Sequence, residues 1–112
     1  MLYDLHCHSS YSDGELSPTD LVLRAKAAGV QALALTDHDC VAGLSLASSA
    51  AEGMQLIPGV EISAAWHGKE IHIVGLQIDP EHSVLKDALA QQADRRWQRL
   101  TAMAEKLRKE NI

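Results

Sequence analysis

The stretch from residue 4 to residue 14 constrains the fold of this chain more than any other part of the sequence. It reads Asp-Leu-His-Cys-His-Ser-Ser-Tyr-Ser-Asp-Gly. If its apolar start is a β-strand, His6 and His8 share one face about 6–7 Å apart, which allows both to bind one metal ion. The turn-forming residues that follow would return Asp13 to the end of that strand. A His-x-His pair alone is a weak signal, whereas the whole stretch is much more specific.

The length and composition indicate a single globular domain. The chain has 112 residues, of which 46% are hydrophobic, and it has no phenylalanine, so aliphatic side chains must form the core. No apolar run approaches the roughly 20 residues needed to cross a bilayer, and the N-terminus does not resemble a secretory signal. Two cysteines are too few for a disulfide framework. We therefore expect reduced thiols in a cytoplasmic protein.

The charge is unevenly distributed along the chain. The net charge is −5, with −9 on residues 1–94 and +4 on residues 95–112. The acidic part argues against general binding of duplex nucleic acid. The basic C-terminal segment would either bind a phosphate group or form a solvated helix face.

The pattern of apolar residues predicts the element order β-α-β-α-β-β-β-α. The first helix begins at Pro18, with Ser17 as its N-cap, and ends before Gly29. The other predicted elements are strands at 2–6, 30–36, 55–57, 60–66 and 70–77 and helices at 41–52 and 81–109. This alternation favours a parallel α/β sheet or barrel, in which functional groups gather at the C-terminal ends of the strands.

Several imidazole and carboxylate side chains fall at positions suited to one metal site. Such a mixed set suits Mn²⁺, Fe²⁺ or Zn²⁺ better than a dedicated Mg²⁺ site. Glu61 lies between Val60 and Ile62 in an apolar strand, where a carboxylate needs a partner, and bridging two ions would supply one. Two metal ions bridged in this way would support phosphoester hydrolysis through attack by a metal-bound hydroxide. The candidate ligands are His6, His8, Asp13, His38, Glu61 and His72.

Each candidate also has a simpler explanation when taken alone. His6 and His8 could be ordinary strand histidines, and Asp13 could serve only as a turn former before Gly14. Asp37 could cap the second helix. The joint occurrence of these residues at predicted strand ends nevertheless favours a shared metal site.

The motif-bearing segments closely resemble the PHP superfamily, the polymerase and histidinol phosphatase metal-dependent phosphoesterases. The similarity runs over the whole chain in the family's order and is carried by residues 4–9 with 12–14, 36–39, 58–62 and 71–75. The resemblance implies an α/β fold that is the N-terminal portion of a distorted (β/α)₇ barrel, with a trinuclear metal centre. It also implies that all six candidates are metal ligands and that Glu61 bridges.

The last helix looks most like the bacterial branch that contains 3′,5′-nucleoside bisphosphate phosphatases and ribonuclease AM-type 5′→3′ exonucleases. This resemblance implies a nucleotide or short oligonucleotide as substrate and up to three divalent ions, Mn²⁺ first, with Fe²⁺ or Zn²⁺ as alternatives. It places Arg96 or Arg99 near a substrate phosphate, a role that suits a guanidinium group. We regard Asp37 and Arg99 as candidate catalytic residues.

One departure from the family pattern affects the expected domain boundary. The family completes its site with a further His and an Asp-x-His motif, and this chain ends at Ile112 before either. We therefore expect residues 1–112 to be the N-terminal part of a PHP domain, with an open barrel edge that could support dimerisation. A non-catalytic metal-binding or assembly module, and a histidinol phosphate phosphatase, remain alternative functions.

Overall fold

The computed structural model describes residues 1–112, and its elements alternate between strands and helices over the first half of the chain. Residues 1–80 form one compact unit and residues 81–112 form a second. The α/β class predicted from the sequence is confirmed. The elements are β1 (Tyr3–Cys7), α1 (Pro18–Ala27), β2 (Ala32–Leu35), α2 (Leu44–Ala50), β3 (Gln55–Trp66), β4 (Lys69–Leu76) and α3 (Ser83–Lys109).

The short apolar strand β2 is the centre of a four-stranded mixed sheet with the order β1-β2-β3-β4. It pairs in parallel with β1 on one side and with β3 on the other, whereas β3 and β4 are antiparallel. Leu33 and Leu35 pack with Val22 of α1 and Ala47 of α2 on one face of the sheet, and Ala34 packs with Ile57 on the other. Burial on both faces explains why this strand lacks polar residues.

Strand β3 is continuous through Pro58 and Gly59, so the predicted break into two strands is wrong. Up to Pro58 the strand pairs in parallel with β2, and from Gly59 onward it pairs antiparallel with β4. The strand therefore changes its main partner at these two residues. A Pro-Gly pair is a strong local turn signal, but here the pairing on both sides keeps the backbone extended. The observed order is β-α-β-α-β-β-α.

The predicted turns and helix ends agree with the structure at several positions. The Ser17 hydroxyl accepts a hydrogen bond from the Asp20 amide at 3.1 Å, as expected of an N-cap. Gly29 follows α1 with a φ of 87°, the left-handed conformation of a helix-ending glycine. His67 and Gly68 both have positive φ values, as a two-residue β-hairpin requires. Helix α2 begins at Leu44 and is shorter than predicted.

The second unit contains the 27-residue helix α3, whose N-cap His82 accepts a hydrogen bond from the Val84 amide at 3.2 Å. Its exposed apolar residues include Trp97, Leu100 and Met103. None of the three helices combines the length and apolar character needed to span a membrane.

Substituting Gly59 by alanine tests the importance of the partner change in β3. A Cβ atom at Gly59 would lie 2.8 Å from Cγ2 of Thr36 and 3.0 Å from the backbone oxygen of Gly75. Because backbone atoms would have to move, we expect Gly59→Ala to lower the free energy of unfolding by about 2 kcal/mol. Urea unfolding measures this change. Gly75→Ala is the control, since its Cβ would meet only the Ile78 side chain closely, at 3.2 Å. If Gly59→Ala and Gly75→Ala lowered the free energy of unfolding equally, the importance of Gly59 for the partner change in β3 would be contradicted.

Candidate metal centre

Backbone pairing brings four segments of the chain together beyond the C-terminal ends of β1 and β2. The Glu61 amide donates to the Asp37 carbonyl at 3.0 Å, and the Asp39 amide donates to the Glu61 carbonyl at 2.9 Å. These two bonds place His38 beside Glu61 in a short parallel bridge. On the other side of β3, His72 of β4 lies opposite Ser63, which shares a face with Glu61.

The side chain of Glu61 lies at the centre of the cluster and is only 5% exposed. Its Oε1 atom contacts Nε2 of His6 and lies 3.3 Å from Nε2 of His8. Its Oε2 atom lies 3.0 Å from Nδ1 of His38 and 2.8 Å from Nδ1 of His72. Each carboxylate oxygen therefore faces a different pair of imidazoles, which is the arrangement of donors expected around a bridging carboxylate.

The surrounding imidazoles keep the Glu61 carboxylate ionised. Burial alone would raise the pKa of Glu61, but hydrogen bonds from His72 and His6 and the nearby His38 together lower that pKa to about 2. In return, the hydrogen bond to Glu61 raises the pKa of His72. The ionised carboxylate is the form that binds a metal ion, so the electrostatics of the cluster favour a ligand role.

Asp13 forms the second carboxylate contact of the cluster. Its Oδ1 atom lies 2.9 Å from Nδ1 of His8, and its Oδ2 atom lies 3.2 Å from Nε2 of His38. His8 and His38 therefore each have a carboxylate oxygen near both ring nitrogens. The Asp13 side chain is 64% exposed, so this carboxylate lies at the outer rim of the cluster.

The donors fall into three overlapping groups in which the ligand atoms lie within 4.8 Å of one another. Imidazole nitrogen and carboxylate oxygen are established ligands of divalent transition metals. The donor set therefore fits divalent metal ions. The groups are His6 with His8 and Glu61, His8 with Asp13 and His38, and His38 with Glu61 and His72.

The structure brings all six predicted ligands into one cluster, whereas the carboxylate of Asp37 contacts the loop that follows β1. Asp37 is 1% exposed and accepts hydrogen bonds from Ser9 and Ser12, and it does not cap α2, whose N-cap is Gly43. Arg99 is exposed in α3, within the second unit, and its catalytic role stays a prediction.

Sequence reasoning did not identify three residues that contact this region. Ser9 is fully buried against Asp37, although its sequence context indicates only a turn. Asp39 has a φ of 49°, and its Oδ1 accepts a hydrogen bond from the Ser63 amide at 3.0 Å. Glu70 lies 3.6 Å from Nε2 of His72. The alternation of β4, which places Glu70 and His72 on one face, is the signal that could have identified Glu70.

The fold and the cluster define an α/β domain whose side chains are arranged to bind divalent metal ions. The PHP domain family model matches residues 4–109, and the chain belongs to this family.

Similar proteins agree with this assignment. The chain is 52% identical over 112 residues to a 5′-3′ exoribonuclease of Haemophilus influenzae, covering 98% of this chain and 41% of the relative. It is 44% identical over 106 residues to a 3′,5′-nucleoside bisphosphate phosphatase of Chromobacterium violaceum, covering 93% of this chain and 37% of the relative.

A solved structure extends the similarity to the fold. An amidohydrolase from Chromobacterium violaceum, with bound sulfate and no metal, superimposes with a TM-score of 0.89 and 42% identity, covering 100% of this chain and 40% of that chain. The predicted partial α/β barrel of the PHP type is thereby confirmed. The chain spans about two fifths of the length of the relatives it matches.

Replacing Glu61 tests its central position in the cluster. Glu61 belongs to two of the three donor groups, so we expect Glu61→Gln to weaken Mn²⁺ binding by at least roughly tenfold. Metal content after dialysis, measured by inductively coupled plasma mass spectrometry, reports the loss. Glu52→Gln, at an exposed glutamate outside the cluster, should retain the metal content of the wild type. Full metal content in Glu61→Gln would contradict the central role.

Proposed function

We propose that this chain forms part of a metal-dependent phosphoesterase that hydrolyses phosphate esters of nucleotides or short oligonucleotides. The observation that carries this proposal is the buried Glu61, whose two oxygens face separate imidazole pairs. The printed names of similar proteins, a 5′-3′ exoribonuclease and a 3′,5′-nucleoside bisphosphate phosphatase, support the substrate class. We propose residues 1–112 as the N-terminal part of the PHP domain, supported by the larger size of these relatives.

The proposed cofactors are up to three divalent ions, with Mn²⁺ first and Fe²⁺ or Zn²⁺ as alternatives. Three overlapping donor groups support this number. Bound ions would lower the pKa of a coordinated water and offset negative charge on phosphoryl oxygens. Because Glu61 and His38 belong to more than one group, they would fix the spacing between neighbouring ions.

The exposure of the ligands indicates how a substrate would reach them. Glu61 lies at the bottom of the cluster, whereas the side chains of His6 and His72 are 55% and 44% exposed. Asp13, whose side chain is 64% exposed, is the third solvent-exposed member of the cluster. A substrate phosphate would approach these exposed ligands, since a catalytic metal site needs a position free of protein ligands. We keep Arg99 as a proposed phosphate-binding residue, supported by its exposed guanidinium group.

Two further properties are proposals. A cytoplasmic location is supported by Cys7 and Cys40, both of which are free thiols. Dimerisation through a sheet edge is supported by the exposed apolar side chains of Tyr3 and Leu5 on β1.

The substitution His8→Ala in the full-length protein tests the proposed activity. His8 belongs to two donor groups, so we expect its loss to reduce hydrolysis of a 3′,5′-nucleoside bisphosphate by at least about 100-fold. Removing metal with a chelator should abolish phosphate release, and added Mn²⁺ should restore it. The control is His67→Asn, which changes a histidine of the hairpin turn outside the three donor groups and should leave hydrolysis unchanged. Asparagine tolerates the positive φ at this position.

Parallel assays distinguish the alternative functions. A short 5′-phosphorylated RNA separates an exonuclease from a nucleotide phosphatase, and histidinol phosphate tests the third activity. Hydrolysis at the wild-type rate by His8→Ala would contradict the metal mechanism. Metal binding without hydrolysis of any of these substrates would instead favour a non-catalytic module.

A further inference from the structure

The carboxylate of Asp37 is buried, and the donors around it all come from one loop. Its Oδ1 atom accepts hydrogen bonds from the Ser9 amide at 2.6 Å and from the Ser12 hydroxyl at 2.8 Å. Its Oδ2 atom accepts a hydrogen bond from the Ser9 hydroxyl at 2.7 Å. Hydrogen bonds to an ionised carboxylate are stronger than those between neutral groups. Both oxygens of Asp37 therefore contribute to holding the segment that follows β1.

This segment, residues 9–14, is folded tightly around Ser9. The Ser9 carbonyl accepts hydrogen bonds from the Ser12 amide at 3.0 Å and the Gly14 amide at 2.9 Å, and the Ser9 hydroxyl accepts one from the Tyr11 amide at 3.2 Å. A Cβ atom at Gly14 would lie only 2.3 Å from the carbonyl oxygen of His8. The loop therefore folds back onto the end of β1. Ser9, which is hydrogen-bonded to Asp37, is the common acceptor of the hydrogen bonds that fold the loop.

Asp13 lies between Ser12 and Gly14, two loop residues that hydrogen bonds hold in place. Ser12 on one side is bonded to Asp37, and Gly14 on the other side is bonded to Ser9. The Asp13 side chain is largely exposed, so contacts with a packed core do little to orient it. Its approach to His8 and His38 therefore depends on the backbone position that the loop provides.

Asp37 is itself fixed relative to the rest of the cluster. Its carbonyl accepts a hydrogen bond from the Glu61 amide, and the preceding Thr36 amide donates to the Cys7 carbonyl at 2.9 Å. His38 follows directly in the sequence. Asp37 thus connects the loop that carries Asp13 to the backbone that carries His38 and Glu61.

We propose that Asp37 is a positioning residue that sets Asp13 against His8 and His38 through the residue 9–14 loop. Because Asp37 is 1% exposed and both of its oxygens accept bonds from the loop, it acts through Asp13 and does not contact substrate. This assignment replaces its predicted catalytic role. The inference rests on the proposed metal site and extends it beyond the six ligands.

The test compares Asp37→Asn, Asp13→Asn and the double variant in the full-length protein by calorimetric titration with Mn²⁺. Asparagine is nearly isosteric but replaces one accepting oxygen with a donor. We expect Asp37→Asn to weaken one class of Mn²⁺ site by roughly 10–100-fold, as loss of an outer-sphere partner does. Asp13→Asn should affect the same class. The double variant should bind within about twofold of Asp13→Asn alone, because coupled residues are not additive.

A matched control and a metal-independent measurement complete the test. Thr36→Val removes a buried hydroxyl that bonds the Cys7 carbonyl at 3.1 Å, so it should lower stability without changing Mn²⁺ affinity. Amide hydrogen exchange of residues 9–14 should become faster in Asp37→Asn but not in Thr36→Val. The proposal would be overturned if the losses of Mn²⁺ affinity in the two single variants multiplied in the double variant. It would also be overturned if amide hydrogen exchange of residues 9–14 were unchanged in Asp37→Asn.

The two proposals fail in different ways. If the wild-type protein binds Mn²⁺ but hydrolyses no nucleotide ester, the proposed function is wrong, and the titration still decides the role of Asp37. If the wild type binds no Mn²⁺, the metal site is wrong. Exchange in residues 9–14 then decides the positioning role, with faster exchange in Asp37→Asn supporting it and unchanged exchange overturning it.

Discussion

The buried carboxylate of Glu61 is the constraint on which the rest of the structure depends. An ionised group in the interior is unfavourable unless charged or hydrogen-bonding partners surround it. Here four imidazoles supply those partners, and they hold the pKa of Glu61 at about 2 despite its burial. Those imidazoles come from the end of β1 and the residue that follows it, from the segment after β2 and from β4, so the carboxylate specifies how three parts of the chain must meet.

The change of partner along β3 makes this meeting possible. Its first residues pair with β2, which keeps the strand in the parallel sheet, and its later residues pair with β4, which carries His72. The short bridge between His38 and Glu61 maintains contact with the chain beyond β2. Gly59 permits the change because a side chain at this position would collide with Thr36 and with backbone oxygens on both sides. A glycine with no catalytic chemistry therefore helps to position the site.

Local patterns in the sequence predict the features that depend on neighbouring residues. The alternation of a strand places His6 and His8 on one face, and Ser17 and Gly29 mark the ends of α1 through known capping chemistry. The same local signals fail where distant contacts decide the outcome. Pro58 and Gly59 indicate a turn, but pairing with two strands keeps them extended. The contacts of Asp37 with Ser9 span 28 residues, and no short pattern reveals them.

The most direct test of the central claim is anomalous X-ray diffraction from crystals of the full-length protein grown with Mn²⁺. A bridging Glu61 predicts at least two anomalous peaks, each adjacent to one of its carboxylate oxygens and about 3.5–4 Å apart. The ion at one peak should be bound by His6 and His8, and the ion at the other peak should be bound by His38 and His72. A fully occupied metal site that does not include Glu61, or an absence of peaks in this cluster at saturating Mn²⁺, would contradict the account.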